Sequence, residues 1–427
     1  MAPFSRSAYF RFRPQTPRCD EVLRAPIHDV PILAGPIAPA GRPEGFAASP
    51  GWISDWRHST MGVQRAGGAM RYRDLPADHF TPEPYARLSM PPTGKMGDVS
   101  ISPGGDVTWS AFLPDRSSLI FTEGGAALRL HPAGAAAFRF PLVQHFVDGR
   151  WLVVEVRTDP TTPNAFVFDS NLRLSHAFYV GDGIQTVLLD GKGKIWIGYF
   201  DEGVFGAFNP MPPEGHLSYR YGPSGLVRCD DRGNVEFSYN TQHPERSISD
   251  IQAMTLDEAD WAWFCPYTDF FLATTNGGDV NYVLPRAPVS LEDALSVGPE
   301  YFAFFGGYQR SSMIAIVHRA SQRLRLIQLH KPNGDTLSPV RFATRGARAI
   351  AVSDDNLFRL DHQVLLGALG PWTDANTSDV ASAVQYLNEE ESYSDSYLIS
   401  PGNGAERVSG KPRPNGNPPR HDKDTGL

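Results

Sequence analysis

The chain has 427 residues, 41% hydrophobic and 20% charged, and its 40 glycines and 37 prolines favour many short elements over long helices. The formal net charge of −8 gives no electrostatic reason to expect a nucleic-acid partner, since such proteins carry a basic surface or stripe. Cys19, Cys229 and Cys265 lie far apart without C-x-x-C spacing, which argues against a disulfide scaffold or zinc site and fits a reducing compartment.

Residues 1–95 are proline-rich and without helical or alternating period, as in "RAPIHDVPILAGPIAPAGRPEG". Yet "WISDWRH" and "MRYRDLP" carry aromatics unusual in a disordered tail, so this zone is expected to be an irregular arm partly packed on the main body. The first residues never reach an apolar run of signal-peptide length, and no run of about 18 apolar residues occurs anywhere. The expectation is a cytoplasmic protein with no membrane partner.

Residues 96–370 carry a repeat. "IQTVLLDGKGKIWIGYFDEGVF", from Ile184, aligns without a gap on "IQAMTLDEADWAWFCPYTDFFL", from Ile251. Gln185 then meets Gln252, Asp190 meets Asp257, Trp196 meets Trp263 and Glu202 meets Asp269. Weaker copies of an apolar run, a polar turn and an aromatic run begin near 98, 142, 294 and 347. Most are followed by two more β-rich runs with a turn between.

The starts are separated by roughly 40 to 67 residues, close to the period of about 40 to 50 of a four-stranded propeller blade. An all-β propeller of six blades is the reading, with five or seven as alternatives. Packing on both faces explains why the strands are nearly continuously apolar. Beyond it, residues 371–401 form a short helical or irregular segment. Val380, Ala383, Val384 and Leu387 would share one helical face. Residues 402–427 are polar and proline-rich and should be disordered.

In a propeller the second-to-third loop of each blade and the blade-to-blade connections share one face. That places Arg157, Tyr199, Asp201, Glu202, Tyr267, Asp269, Tyr308 and Arg310 at one mouth, with His145, Asp182 and Asp250 at the connections. The ligand-binding candidates are therefore Asp182, Tyr199, Asp201, Glu202, Asp250, Tyr267, Asp269 and Tyr308. Clustered carboxylates suit Ca²⁺ or another divalent cation, and Asp201, Glu202 and Asp269 form the candidate metal set. Acids beside glycine are also ordinary turn formers, and Trp196 and Trp263 are expected to fill the wedge between blades. No H-E-x-x-H, G-x-S-x-G, Walker loop or helix-opening G-x-G-x-x-G occurs.

The stretch "GDGIQTVLLDGKGKIWIGYFDEGVFG", with "GLVRCDDRGNVEF", "WAWFCPYTDFFL" and "FAFFGGY", resembles a family of uncharacterised bacterial proteins carrying a G-D-G-I opening and I-W-V-G-Y-F-D-E-G-V-F-G. The likeness spans residues 180–360. It implies a propeller and no particular substrate. "FCPYTD" departs from the pattern by placing Cys265 and Pro266 where a pair of tyrosines is expected. The D-G-x-G-x-I-W-x-G element is similar, more distantly, to blades of sensor propellers and of gluconolactonase-like lactonases. Two functions are expected to compete: a non-catalytic module binding a small molecule or protein, and a metal-dependent hydrolase or lactonase using the rim carboxylates.

Overall fold

The computed structural model describes residues 75–384 apart from 89–93, 115–116, 124–127, 131–137, 139, 160–161, 207–220, 268, 289–293, 307–311, 340 and 374–375. Two short strands come first, β1 (Ala77–Phe80) and β2 (Pro84–Arg87). The first sheet is β3 (Lys95–Ile101), β4 (Val107–Phe112), β5 (Ser118–Thr122) and β6 (Leu128–Leu130). The second is β7 (Pro141–His145), β8 (Trp151–Glu155), β9 (Ala165–Phe168) and β10 (Leu174–Phe178). In the third, β11 (Ile184–Leu189) and β12 (Ile195–Tyr199) are followed by a one-turn helix, α1 (Asp201–Phe205), then β13 (Leu226–Cys229) and β14 (Val235–Ser238).

After the short helix α2 (Tyr239–Gln242), the fourth sheet is β15 (Ile251–Leu256), β16 (Ala262–Pro266), β17 (Leu272–Thr275) and β18 (Val280–Leu284). The fifth runs β19 (Ala294–Val297), β20 (Tyr301–Phe305), β21 (Met313–His318) and β22 (Arg323–Leu329). The sixth contains β23 (Arg341–Arg345), β24 (Arg348–Ser353) and β25 (Asn356–Arg359). Helix α3 (His362–Leu369), the two-residue strand β26 (Ser378–Asp379) and a helical stretch at 380–384 complete the described chain.

Within each blade the consecutive strands form an antiparallel meander, and six apolar clusters each join one sheet to the next. The side-chain period of two explains the sequence pattern. Along β8, Leu152 and Val154 pack toward the third sheet, while Trp151 and Val153 pack toward the first. A strand sandwiched between two neighbours needs apolar residues at every position. The cluster holding Val99, Ile101 and Trp109 also contains Ile350, Val352 and Leu357, so the last sheet packs on the first and the ring closes at six blades. Trp196 and Trp263 are buried in the interfaces on either side of the fourth blade.

The hairpin aspartates are turn formers. Asp190 Oδ1 accepts the N–H groups of Lys192 and Lys194, and Asp257 Oδ1 those of Ala259 and Trp261. Asp169 and Asp230 repeat the arrangement in outer hairpins. One short carboxylate thus satisfies two loop amides that a strand ladder cannot.

Residues 77–87, read as irregular from the sequence, supply two strands. β2 pairs antiparallel with β25 as the fourth strand of the sixth blade, and β1 pairs parallel with β22 at the edge of the fifth. Arg325, only 2% exposed at its side chain, donates to both carboxylate oxygens of Asp78 at 2.8 and 3.0 Å and to the carbonyl of Gly370 at 3.1 Å. The sixth blade also begins earlier than the repeat suggested: Ala347 precedes the second strand, and "RFATR" is the inner one. The short helix expected from Ser378, within 371–401, opens instead as β26. Val380 and Ala383 are buried against the fifth blade, and Leu387 lies outside the described residues. Among the described residues, no helix is long and apolar enough to cross a membrane.

Candidate functional site

The start of each inner strand pairs with the end of the second, as in Lys95 with Phe112, Pro141 with Glu155 and Ile184 with Tyr199. The blade-to-blade connections and the second-to-third loops therefore share one face, here the upper face. His145 is an exception to the expectation. It ends β7, pairs with Trp151 and sits at the opposite end.

On the upper face Asp182 of the G-D-G element and Glu202 of the F-D-E-G element converge on a cation. Arg157 pairs with Glu202, and its Nε lies 3.4 Å from Asp182 Oδ1. The same Asp182 oxygen accepts the Thr158 N–H at 2.7 Å. Asp182 is buried, so these bonds replace its lost hydration. Two glycines make the approach feasible: Gly183 has φ +68°, and a Cβ there would stand 2.4 Å from the backbone of Gly203. Phe200 N–H closes the contact by donating to the Gly183 carbonyl at 3.0 Å. Asp182, Glu202 and Arg157 thus tie the second blade to the third.

The remaining candidates separate. Tyr199 is fully buried, its hydroxyl donating to the Val180 carbonyl at 2.5 Å, which turns it away from any ligand; burial pushes its phenol far up. Tyr267 and Asp269 are exposed, the Tyr267 ring resting edge-on against Phe270. Tyr308 and Arg310 lie outside the described residues. Asp250 is pushed up to about 6, first by burial and then by the neighbouring charge of Asp201, with Gln252 Nε2 donating to it at 3.1 Å. Among the described residues, no group of three or more His, Cys, Asp and Glu is placed to hold a metal ion, and the set of Asp201, Glu202 and Asp269 does not assemble. Glu202 is committed to Arg157 instead.

What the sequence reading missed is the set of residues that line the channel. A cavity of about 470 Å³, within the size range of small-molecule sites, is lined from all six inner strands. Three inner strands carry a register shift near their upper ends: between Met96 and Val99, between Ile184 and Thr186, and between Ile251 and Ala253. Such bulges leave residues without a ladder partner and re-aim their side chains. The residues released are Gly97 with Asp98, Gln185, and Gln252, and all four line the cavity. Arg341, the exposed first residue of β23, lines it as well, together with Thr186 and Thr344.

Asp98 is the half-buried acid of this channel. Its Oδ2 accepts the Val143 N–H from the next blade at 3.0 Å, and Ser110 Oγ accepts its own N–H at 2.8 Å. The carboxyl lines the cavity and is shielded from much of the solvent by the surrounding strands. Desolvation pushes it up to about 6, against the opposing pull of the Val143 N–H and the Arg341 charge. Phe112, Phe140 and Phe200, at the upper ends of three successive blades, form an apolar mouth, and Phe140 is 59% exposed. The alignment of Gln185 on Gln252 was the sequence signal for this site; it read as repetition because a bulge is invisible in one strand alone.

No family model matches the chain, and no curated protein matches it. Among solved structures, a catalytically inactive virginiamycin B lyase from Staphylococcus aureus with quinupristin is similar at 12% identity and TM-score 0.42, over 65% of this chain and 88% of that one. The PQQ-bound aldose sugar dehydrogenase from Streptomyces coelicolor is similar at 10% identity and TM-score 0.38, over 65% of this chain and 96% of that one. Regucalcin, a calcium-binding protein from Agrobacterium tumefaciens, is similar at 12% identity and TM-score 0.39, over 69% of this chain and 92% of that one.

Proposed function

We propose that this propeller is a non-catalytic binding module that holds a small polar organic molecule in the upper end of its channel. One observation carries the reading: bulges in three different inner strands deliver Asp98, Gln185 and Gln252 into a single cavity under an apolar mouth. A scaffold that only needed closure would gain nothing from interrupting three ladders. The net charge of −8 supports a small-molecule rather than a nucleic-acid partner, and the buried free thiols Cys229 and Cys265 support a cytoplasmic setting.

The test is a thermal melt against a panel of amino acids, monosaccharides, nucleosides and carboxylic acids, run on the full chain and on Gln185→Trp. Gln185 is exposed to the channel, so tryptophan there fills space without entering the core. The expected result is a class that raises Tm of the parent and not of the variant, through binding linkage. A panel that moves neither melt, or moves both equally, overturns the reading.

A second reading, metal-assisted hydrolysis at the acidic rim, draws on the Asp250 carboxyl pushed up to about 6 beside Asp201, a pair that a divalent cation would neutralise. It requires Ca²⁺ to raise Tm, EDTA to reverse the rise and Asp250→Asn to abolish it. A melt indifferent to Ca²⁺ defeats it.

A further inference from the structure

Building on the channel reading, we infer that the ligand is a small zwitterion, an α-amino acid with an apolar side chain, whose ammonium faces Asp98 and whose carboxylate faces Arg341. The argument starts from charge. Of the described residues that line the cavity, Asp98 and Arg341 alone carry acidic or basic side chains, and they come from the neighbouring inner strands β3 and β23. They act on each other only through space: the hydrogen bonds to the carboxylate come from backbone N–H groups. Each charge therefore presents capacity for a contacting counter-ion to the same small space.

That arrangement discriminates among ligand classes. A dicarboxylate would set one charge against Asp98, and a diamine would set one against Arg341. A neutral sugar would displace water from both ions and offer neither a charge in return, leaving their desolvation uncompensated. A zwitterion offers both, as charge-assisted hydrogen bonds. The exposed ring of Phe140, with Phe112 and Phe200 beside it, is suited to covering an apolar side chain. Gln185 and Gln252 add amides that both donate and accept, without fixing the charge balance.

The experiment is isothermal titration of the full chain with L-phenylalanine, phenethylamine and 3-phenylpropanoate, repeated on Asp98→Asn and Arg341→Gln. Asparagine keeps an oxygen to accept the Val143 N–H, and Arg341 is exposed, so both variants should fold. The expected outcome is binding of L-phenylalanine that falls roughly tenfold or more in each variant, with the two singly charged analogues at least about tenfold weaker on the parent. Equal binding of L-phenylalanine to parent and variants overturns the inference. So does silence from L-phenylalanine and L-leucine while another panel compound binds the parent and not Gln185→Trp; in that case the channel reading stands and the zwitterion does not. A panel that is silent throughout overturns both.

Discussion

Replacing Asp98 with asparagine should stabilise the fold, and only when the carboxyl would be ionised. Asp98 titrates at about 6 in the folded chain against its ordinary 3.8, chiefly because protein walls replace water around it. The folded state therefore keeps this proton longer than the unfolded chain does. The stabilisation from the neutral acid is complete below the unfolded value and is lost as pH rises through 3.8 to about 6. At about 1.4 kcal/mol per pH unit, that interval makes the ionised carboxylate cost up to about 3 kcal/mol near neutrality. Asparagine removes the charge and retains the acceptor for Val143. Urea unfolding of parent and variant, followed near neutral pH and again below about pH 4, measures the difference. The expected gain is up to about 3 kcal/mol at neutral pH and close to none in acid. An equal gain at both values, or a loss at neutral pH, refutes the reasoning. The outcome also secures the binding experiment, since a variant more stable than the parent cannot lose a ligand through unfolding.

The clamp between Asp78 and Arg325 is asymmetric. Asp78→Ala strands a buried guanidinium and should cost about 3 to 5 kcal/mol in chemical denaturation, whereas Arg325→Met, which fills the same space without charge, should cost clearly less. Gly183→Ala forces a side chain into a left-handed backbone and against Gly203, so a drop in Tm of several degrees is expected, with Gly191→Ala, whose φ is negative, as the milder control. Cys229 and Cys265 are fully buried and burial pushes both thiols far up, so iodoacetamide should leave them unmodified in the native chain and label both in urea, as peptide mass mapping would show.

The ring was legible because its cause is local and periodic. Every blade needs the same succession of apolar run and tight turn, and six interfaces copy it. The acids of "GDG" and "FDEG" were legible as belonging to one face, and two of them, Asp182 and Glu202, share Arg157 as an ion-pair partner across two blades. Tyr199 was read as a ligand candidate at the mouth, but whether a strand-end tyrosine faces a rim or a core depends on the backbone oxygen it finds, here that of Val180. The channel residues were hidden for a related reason. Gln185 and Gln252 sit inside apolar strands, and their direction follows from one residue of slippage against β12 and β16. "PYAR" and "ADHF" looked irregular because each is an edge strand of four residues, whose partners β25 and β22 lie hundreds of positions later.

That last separation sets a timetable for the molecule as it is made. Ala86 waits for Leu357 before the sixth sheet is complete, so every turn of synthesis between them leaves an unpaired edge at the seam. The ribosome can release five sheets in sequence, but the annulus locks only when the final hairpin arrives and recruits a strand made before the first sheet. Assembly here is completed by β2, which precedes the first blade and latches the last.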